Sequence, residues 1–344
     1  MVCLKENIMN NFSDIIGNEQ IIKSIRRVLK NKMISHAYII AGEEGGGKKM
    51  LANAFAKTLL CETDGDEPCD QCISCRTFDG GNNPDIIYVH PVKTKGISVD
   101  DIREQVTSTV NIKPYNHRYK IYIMPNADTM TQQAQNALLK TLEEPPEYAV
   151  FFLLAENIYA FLPTIMSRCV LFNIKPVPAF KIKNYLLERK LADEQADMVA
   201  EYAQGSIGRA IRFAESEEFS AMRQKVTETL SGIKNAPYYV LTEAAKELAA
   251  NNDAADITDM IYLWQRDVLA YKITEDKNCI IEKDMTDRIV DEARNNSYEA
   301  LCGVPEFIMK TKKYLKQNVN SQFALEMLFI NIKGELVNDR SSRS

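Results

Sequence analysis

Short apolar runs alternate with amphipathic stretches over the first half of the chain. The runs are rich in β-branched and aromatic residues, and they cover residues 37–41, 86–89, 119–124 and 149–154. Between them, apolar residues recur at three- and four-residue spacing, most clearly in 98–110 and 131–142, which is typical of amphipathic helices. Because strands buried in a parallel sheet read as continuous apolar runs between helices, this pattern predicts an α/β domain that ends near residue 175.

Beyond that point the pattern becomes helical. Pro176 and Pro178 interrupt the alternation, and no convincing alternating strand pattern follows them. The predicted domains are an α/β domain at 1–176, a small helical domain at 177–216, a larger helical domain at 217–338 and a frayed tail at 339–344. The larger helical domain carries two apolar stripes at helical spacing, formed by Ile261, Trp264 and Val268 and by Phe323, Met327 and Ile330.

Composition narrows the class of protein. The chain has 344 residues, a net charge of −5, 45% hydrophobic residues and 26% charged residues, which is average for a soluble globular protein. Its longest apolar run, Tyr148 to Ala155, is far shorter than the roughly 18 to 20 residues that span a bilayer. The first fifteen residues lack both a basic start and an apolar core, so we expect no secretory signal and a cytoplasmic protein.

A glycine-rich turn lies between the first predicted strand and the following helix. Residues Gly42 to Lys49 fit seven of the eight positions of the phosphate-binding loop G-x-x-x-x-G-K-[ST], with Gly42, Gly47 and Lys48 at fixed positions and Gly45 in the variable stretch. The eighth position normally supplies a hydroxyl to Mg²⁺, but Lys49 has only donors to offer. The loop alone therefore leaves two possibilities open, which are residual nucleotide binding and a plain strand-to-helix connection.

The second half of a phosphate-loop site is also incomplete. Such sites hold Mg²⁺ with a carboxylate at the end of a neighbouring strand, often beside a glutamate that activates water. After the strand at 119–124 the sequence places Pro125 and Asn126 at these positions, and Asp128 comes three residues too late for the first of them. Two independent losses of metal ligands predict that this chain does not hydrolyse ATP by itself.

Four of the eight cysteines fall within one short stretch. Cys61, Cys69, Cys72 and Cys75 have the spacing C-x7-C-x2-C-x2-C, and four thiolates this close can enclose one tetrahedral Zn²⁺. All four positions would be filled by protein, so the zinc is expected to be structural rather than catalytic. Two alternatives remain: four buried free thiols, or an iron–sulfur cluster, although the Cys-Pro pair expected after the cluster in ferredoxins is absent.

Several longer motifs resemble one protein family. They are Phe12 to Glu19, Ser35 to Tyr38, the glycine loop, Gln135 to Pro146 with its N-A-L-L-K-T-L-E-E-P-P string, Ser167-Arg168-Cys169, Gly208-Arg209-Ala210, and the weaker matches at 263–269 and 318–326. With these motifs the chain resembles the AAA+ clamp-loader family of bacterial DNA polymerase III over nearly its whole length. The resemblance implies a RecA-like AAA+ domain with an inserted zinc module at 61–75, a helical lid, and a helical collar through which five subunits assemble.

The resemblance also implies roles for individual residues. Arg168 would act as an arginine finger that projects into the ATP site of a neighbouring subunit, because its planar fork suits the charge that spreads over a γ-phosphate. Arg209 matches the second nucleotide sensor, and an arginine on a helix surface is the alternative interpretation. Polar residues of 135–142 would line a chamber that faces primer-template DNA, where Lys140 would contact phosphate.

The partners implied by the resemblance are the tau/gamma and delta subunits and, through the complex, the sliding clamp and primed DNA. A net charge of −5 argues against strong DNA binding by this chain alone. The departures at Lys49, Pro125 and Asn126 favour a rigid, non-hydrolysing stator within the polymerase holoenzyme. The alternative is a self-sufficient ATPase subunit of the tau/gamma type.

Overall fold

The computed structural model of the chain describes residues 10–92, 96–251, 253–317 and 319–338. These residues fold into two compact units, one of 10–185 with 203–211 and one of 186–202 with 212–338. The predicted lid at 177–216 contributes to both units, and the three-domain division stays a prediction. The frayed tail predicted at 339–344, and most of the segment on which the signal-peptide prediction rests, lie outside the described residues.

The first unit is built on a parallel sheet of five strands. The strands are β1 (Ala37–Ala41), β2 (Ile86–Tyr88), β3 (Lys120–Met124), β4 (Ala149–Ala155) and β5 (Val170–Asn173), in the order β2-β3-β4-β1-β5. Every residue of β1, β3 and β4 is buried, as their continuous apolar sequences require. The α/β fold class with a RecA-like AAA+ core is therefore confirmed. Strand β5 was not predicted.

Helices cover both faces of this sheet. They are α1 (Glu19–Lys30), α2 (Lys48–Leu60), α3 (Ile73–Asp79), α4 (Val99–Ile102), α5 (Ser108–Val110), α6 (Gln132–Glu143), α7 (Pro163–Met166) and the beginning of α8 (Ala179–Glu188). Side chains of α1 and α2, including Ile25 and Phe55, pack with Tyr38 and Phe152 on one face. Helices α4 to α6 pack on the opposite face, so the sheet is the middle layer of three.

The ends of the predicted helices match the capping chemistry of the sequence. Ser98 and Asp101 form a reciprocal capping box at the start of α4, and the Thr131 hydroxyl accepts the backbone N–H of Ala134 at the start of α6. Between α4 and α5 the backbone is π-helical over Arg103–Thr107, so the predicted helix at 98–110 is continuous but irregular.

The described residues of the second unit form helices only. They are the end of α8, α9 (Asp193–Tyr202), the end of α10 (Ile207–Glu215), α11 (Glu217–Gly232), α12 (Tyr238–Asn251), α13 (Ala254–Thr274), α14 (Thr286–Asn295), α15 (Tyr298–Lys316) and α16 (Ser321–Val337), with short 3₁₀ turns between α13 and α14. The stripe on α13 is buried around Trp264, whose indole N–H donates to Glu292 at 2.8 Å. The stripe on α16 is instead largely exposed at Phe323 and Met327, while Leu325 and Phe329 form the buried face.

Candidate functional site: two ends of one sheet

The glycine loop connects β1 to α2. Gly45 and Gly47 have φ angles of +69° and +94°, which side chains rarely adopt, and α2 begins directly after Gly47 at Lys48. This places the backbone of Gly42 to Gly47 at the N-terminus of a 13-residue helix, the arrangement that binds phosphate in related loops. The predicted strand–loop–helix arrangement is confirmed.

The loop lysine is engaged by its own chain. The Nζ atom of Lys48 donates to the carbonyl oxygens of Gly42 at 2.6 Å and Glu43 at 3.0 Å. It also lies 3.7 Å from a carboxylate oxygen of Glu156, and only 11% of the lysine side chain is exposed. Glu156 follows β4 and had no motif to mark it in the sequence, so its position beside Lys48 comes from the fold.

The residue at the metal-ligand position faces an aromatic ring. The Nζ atom of Lys49 lies 5.9 Å from the centre of the Tyr88 ring, and the Tyr88 hydroxyl donates to Asn53 at 3.0 Å. A lysine ammonium attracted to a ring face has no lone pair for Mg²⁺. The geometry agrees with the expectation that this position cannot hold the metal.

The end of β3 offers no carboxylate at the two expected positions. Asn126 has a left-handed backbone with φ of +52°, and it lies with Pro125 and Asp128 along the wall of the cavity described below. One carboxylate oxygen of Asp128 accepts the backbone N–H groups of Glu156 and Asn157, each at 3.0 Å. Asp128 therefore holds the loop after β4 in place.

A cavity of about 580 Å³ adjoins the glycine loop. Its wall includes Asp14, Ile15, Ile16, Lys48, Lys49, Met50, Pro125, Asn126, Tyr185, Ile207, Gly208 and Ile211. The volume lies in the usual range for small-molecule sites. Apolar side chains and a lysine that could meet phosphate are present. The usual positions for Mg²⁺ ligands carry Lys49, Pro125 and Asn126, and the acidic residues of the wall, Asp14, Glu44, Asp128 and Glu156, occupy other positions.

The segment around Gly208 packs closely on the glycine loop. The Ser206 hydroxyl donates to the carbonyl of Glu44 at 3.2 Å, and the backbone N–H of Gly208 donates to the carbonyl of Gly45 at 3.1 Å. A Cβ atom on Gly45 would stand 2.4 Å from the Ser206 oxygen. The predicted sensor Arg209 lies in α10, where its backbone N–H donates to Ser206 at 3.2 Å.

Arg168 lies in a different place from these residues. One terminal nitrogen, Nη1, donates to the carbonyl of Thr164 at 2.9 Å and to the Ser167 hydroxyl at 3.4 Å. The other, Nη2, is 2.9 Å from a carboxylate oxygen of Glu143, and 35% of the arginine side chain is exposed. Burial raises the pKa of the adjacent Cys169 thiol to about 12, so this cysteine is a packing residue rather than a nucleophile.

The sheet separates Arg168 from the glycine loop. We define the carboxyl end of the sheet as the edge where the strands end, next to Gly42, Pro125 and Glu156, and the amino end as the edge where they begin. Arg168 precedes β5, which runs parallel to β1, and therefore lies at the amino end. Four residues of strand span about 13 Å, so Arg168 and the glycine loop of the same chain lie at opposite edges of the sheet.

One residue of the predicted DNA-facing helix is part of the core. Gln135 in α6 is only 3% exposed, and its side-chain amide donates to Ala160 at 2.9 Å and accepts from the backbone of Leu162 at 2.8 Å. It fixes α6 to the loop between β4 and α7 and is therefore not one of the polar residues of 135–142 that could face a central chamber, which stays a prediction for the others. Lys140 on the same helix is exposed, as a phosphate-contacting residue must be.

The four clustered cysteines come together. The sulfur atoms of Cys61, Cys69, Cys72 and Cys75 all lie within 4.8 Å of one another. A tetrahedral site with Zn–S bonds of about 2.3 Å needs sulfurs about 3.8 Å apart. The backbone N–H groups of Cys69, Cys72 and Cys75 each point to the sulfur of the preceding cysteine at 3.3 to 3.4 Å. The donor set therefore fits a structural zinc ion.

The thiols differ in their ease of ionisation. Backbone N–H donors from Gln71 and Cys72 lower the pKa of Cys69 to about 6, whereas burial raises the pKa of Cys75. A thiolate must form at each position for zinc to bind, and a divalent cation supplies the charge that compensates for the burial of Cys75.

A buried polar network fastens this cysteine module to the core. Lys57 of α2 is 3% exposed, and its Nζ atom donates to Asp70 at 2.6 Å and to Asp79 at 2.8 Å. Further contacts join the module to α1 and to the turn after it, namely an ion pair of Arg26 with Glu67 and one of Lys32 with Asp64 at 2.6 Å. No motif predicted this network, because its members are separated along the chain.

The fold and this site define a class of protein. A five-stranded parallel AAA+ sheet, a glycine loop without its metal ligands and a cysteine module inserted after α2 are the features of a clamp-loader type of P-loop protein. Two family models match the chain, "DNA polymerase III, delta subunit" over residues 17–178 and "DNA polymerase III, delta subunit, C terminal" over residues 217–334. The chain belongs to this family and is a clamp-loader subunit of DNA polymerase III.

Curated relatives agree with this assignment. The chain is 29% identical to DNA polymerase III subunit delta' of Bacillus subtilis, over 90% of this chain and 94% of the relative. It is also 29% identical to subunit tau of the same bacterium, over 93% of this chain but only 61% of tau. Against subunit tau of Escherichia coli the identity is 32%, over 64% of this chain and 35% of the relative.

A solved structure of a gamma subunit-related protein from Thermotoga maritima has 18% identity and a TM-score of 0.48, covering 91% of this chain and 99% of that one. No helix in the described part of the chain is both long and apolar enough to cross a membrane.

Proposed function

We propose that this chain is the delta-prime subunit of a bacterial clamp loader, a stator that does not hydrolyse ATP itself. It would complete the ATP site of a neighbouring tau/gamma subunit with Arg168 as an arginine finger. The observation that carries the proposal is the placement of Arg168, which is partly exposed at the amino end of the sheet, the edge opposite the chain's own glycine loop.

The state of the chain's own site supports the same role. Hydrolysis of ATP needs a metal held by a hydroxyl and a strand-end carboxylate, and these positions carry Lys49, Pro125 and Asn126. Lys48 is held by two carbonyls of its own loop and by Glu156. A nucleotide would have to displace these contacts, and the usual positions would then offer no ligand to orient Mg²⁺ against its phosphates.

Arg168 has the chemistry that the neighbouring site requires. In phosphoryl transfer, charge spreads over the equatorial oxygens of the γ-phosphate, and an arginine supplied from another subunit stabilises that charge. A planar guanidinium offers paired N–H donors in a fixed geometry, which a lysine cannot do. The chain would thereby take part in loading the sliding clamp onto primed DNA without hydrolysing ATP.

The remaining parts of the chain fit roles in assembly. The helices of 217–338 would form the collar that joins this subunit to tau/gamma and delta in the cytoplasm, with the exposed Phe323 and Met327 stripe available for contact. A zinc ion on Cys61, Cys69, Cys72 and Cys75 would hold the inserted module together. DNA and clamp would be reached through the complex.

A second candidate is a self-sufficient ATPase subunit. It is favoured by the equal identity of 29% to the tau and delta' subunits of Bacillus subtilis. The two candidates differ in a simple measurement, because a tau-like subunit would release phosphate from ATP when purified alone. We expect the purified chain to hydrolyse ATP at background rate.

The decisive experiment replaces Arg168 in the reconstituted complex. Arg168→Ala should leave subunit association intact, because the collar lies in the other unit, while DNA-stimulated ATPase and clamp loading fall. An arginine finger is worth roughly 10³ to 10⁵ in rate at its own site, and the whole assembly, which has several sites, should lose less. Arg168→Lys should rescue poorly because an ammonium lacks the planar fork.

A matched control is Arg103→Ala, which removes an exposed arginine of the same unit that pairs only with its helix neighbour Asp100 at 3.7 Å. It should leave the ATPase of the complex unchanged. A fully assembled Arg168→Ala complex with normal ATPase and clamp loading would contradict the proposed function and reduce Ser167-Arg168-Cys169 to a structural turn.

A further inference from the structure

Arg168 is held in one orientation by three groups of its own chain. Its Nη2 atom lies 2.9 Å from Oε1 of Glu143, and its Nη1 atom donates to Thr164 and Ser167. We infer that Glu143 is a positioning residue, which fixes the guanidinium of Arg168 in the orientation that a neighbouring nucleotide requires. This inference rests on the proposed function of Arg168.

The contacts within the chain do not use every N–H group of Arg168. A guanidinium has five N–H groups. The hydrogen bonds of Arg168 to Thr164 and Ser167 both come from Nη1, and Nη2 lies 2.9 Å from Glu143 as an ion pair. No hydrogen bond to a described residue uses the Nε–H, which shares one edge of the planar group with an N–H of Nη2, and an edge of this kind can bind an oxyanion with two parallel hydrogen bonds.

The groups that contact Arg168 belong to helices that are fixed to each other by hydrogen bonds. Glu143 is the last residue of α6, and Thr164 belongs to α7, so two separate helices contribute. The buried amide of Gln135, also in α6, bonds to Ala160 and Leu162 just before α7. Because α6 and the loop into α7 are tied together, the carboxylate and the carbonyl that face Arg168 keep a fixed spacing.

A purely structural role for the ion pair is a poor explanation. The Glu143 side chain is 46% exposed, and ion pairs at such exposure contribute little to folding stability. Loss of Glu143 should therefore leave the fold intact. Without Glu143, the Arg168 side chain would be more mobile and would have to become ordered each time the neighbouring site forms. Ordering one flexible side chain changes an equilibrium constant or a rate by roughly 2- to 10-fold.

The test is a set of Glu143 variants in the complex reconstituted with tau/gamma and delta subunits. Glu143→Gln should lower kcat of the DNA-stimulated ATPase by roughly 2- to 10-fold, with KM for ATP, subunit association and thermal unfolding unchanged. Glu143→Asp keeps the charge but shortens the reach, so it should behave like Glu143→Gln. The matched control Glu144→Gln removes the same charge at the next, exposed residue and should have no effect.

A double variant identifies the path of the effect. If Glu143 acts through Arg168, then adding Glu143→Gln to Arg168→Ala should cause no further loss. Three results would overturn the inference. They are a further loss in the Arg168→Ala background, a normal kcat in Glu143→Gln, and a higher kcat in Glu143→Gln, which would mean that Glu143 restrains the arginine. The proposed function fails by a different result, which is normal ATPase in Arg168→Ala itself.

Discussion

Charged residues at the two ends of the sheet differ in their contacts and exposure. At the carboxyl end, Lys48 binds carbonyls of its own loop and Asp128 binds two backbone N–H groups of the loop after β4. At the amino end, Arg168 is fixed on one side by Glu143 and Thr164 and remains partly exposed. Lys48 and Asp128 thus bind groups of their own chain, whereas part of the Arg168 side chain is exposed, as the proposed function requires.

If the proposed function is right, this difference explains how a subunit without a working ATP site of its own can still take part in ATP-driven clamp loading. Under the proposed function the two ends would serve different nucleotides, since β5 lies between Arg168 and the glycine loop of the same chain. Loss of the Mg²⁺ ligands at Lys49, Pro125 and Asn126 therefore has no direct consequence for Arg168. The two ends can be altered independently, and each prediction below compares them.

The cysteine module is expected to give the largest effect on stability. Helix α2 is 13 residues long, about 20 Å, and carries the chain from the glycine loop to Cys61 at the amino end. When the free zinc concentration is a thousand times the Kd, bound zinc adds about 4 kcal/mol to the free energy of unfolding, and removal of the metal should lower it by that amount. Metal analysis should find one Zn²⁺ per chain, and thermal unfolding with and without chelator should measure the loss.

Cys72→Ser should reproduce the effect of the chelator, and Cys302→Ser, at an exposed cysteine of the second unit, should not. Acidification should release the metal because protons compete with zinc for the four thiolates. Iron with visible absorbance, or a metal-free protein whose stability is the same in Cys72→Ser, would count against a structural zinc site.

Much of the first unit could be predicted from local patterns. Strands β1, β3 and β4 are continuous apolar runs because both of their faces are covered, and the cysteine spacing alone marked the module. Strand β5 was missed because it is only four residues long and Val170 and Leu171 are about 40% exposed. Only its pairing with β1 defines it as a strand.

The polar partners could not be predicted, because they depend on chain folding rather than on spacing. Glu156, which follows β4 and comes 108 residues after Lys48 in the chain, lies beside Lys48. Asp70 and Asp79 contact Lys57 only because the module folds back on α2. The motif assigned polar residues of 135–142 to a DNA-facing surface, but the direction in which α6 packs buries one of them, Gln135. Motifs identify a helix, and tertiary packing decides which side of it is exposed.

A smaller effect on stability is expected at the glycine loop, where the Ser206 hydroxyl donates to the carbonyl of Glu44. Gly45→Ala should destabilise the protein more than Gly81→Ala, although both glycines have nearly the same φ, +69° and +68°. A Cβ on Gly45 would displace the Ser206 hydroxyl and break its bonds to Glu44 and Arg209, whereas a Cβ on Gly81 would meet nothing within 4 Å. The difference should be about 1 to 2 kcal/mol.

Chemical denaturation of the two variants measures this difference. Ser206→Ala in the Gly45→Ala background should remove the collision, so the double variant should lose less than the sum of the single losses. Equal stability of Gly45→Ala and Gly81→Ala would mean that the segment around Ser206 does not pack on the glycine loop in solution.

The smallest expected effect tests the comparison most directly. Lys48→Ala should leave the DNA-stimulated ATPase of the complex within about twofold of normal, because the lysine contacts its own loop and Glu156 in a site without Mg²⁺ ligands. Lys49→Ala is the matched control, since it removes the same charge from the neighbouring position over Tyr88. The measurement is steady-state phosphate release by complexes assembled to the same extent. If Lys48→Ala instead lowered the rate as strongly as Arg168→Ala, the carboxyl end would be a working ATP site, and the chain would be an ATPase of the tau/gamma type.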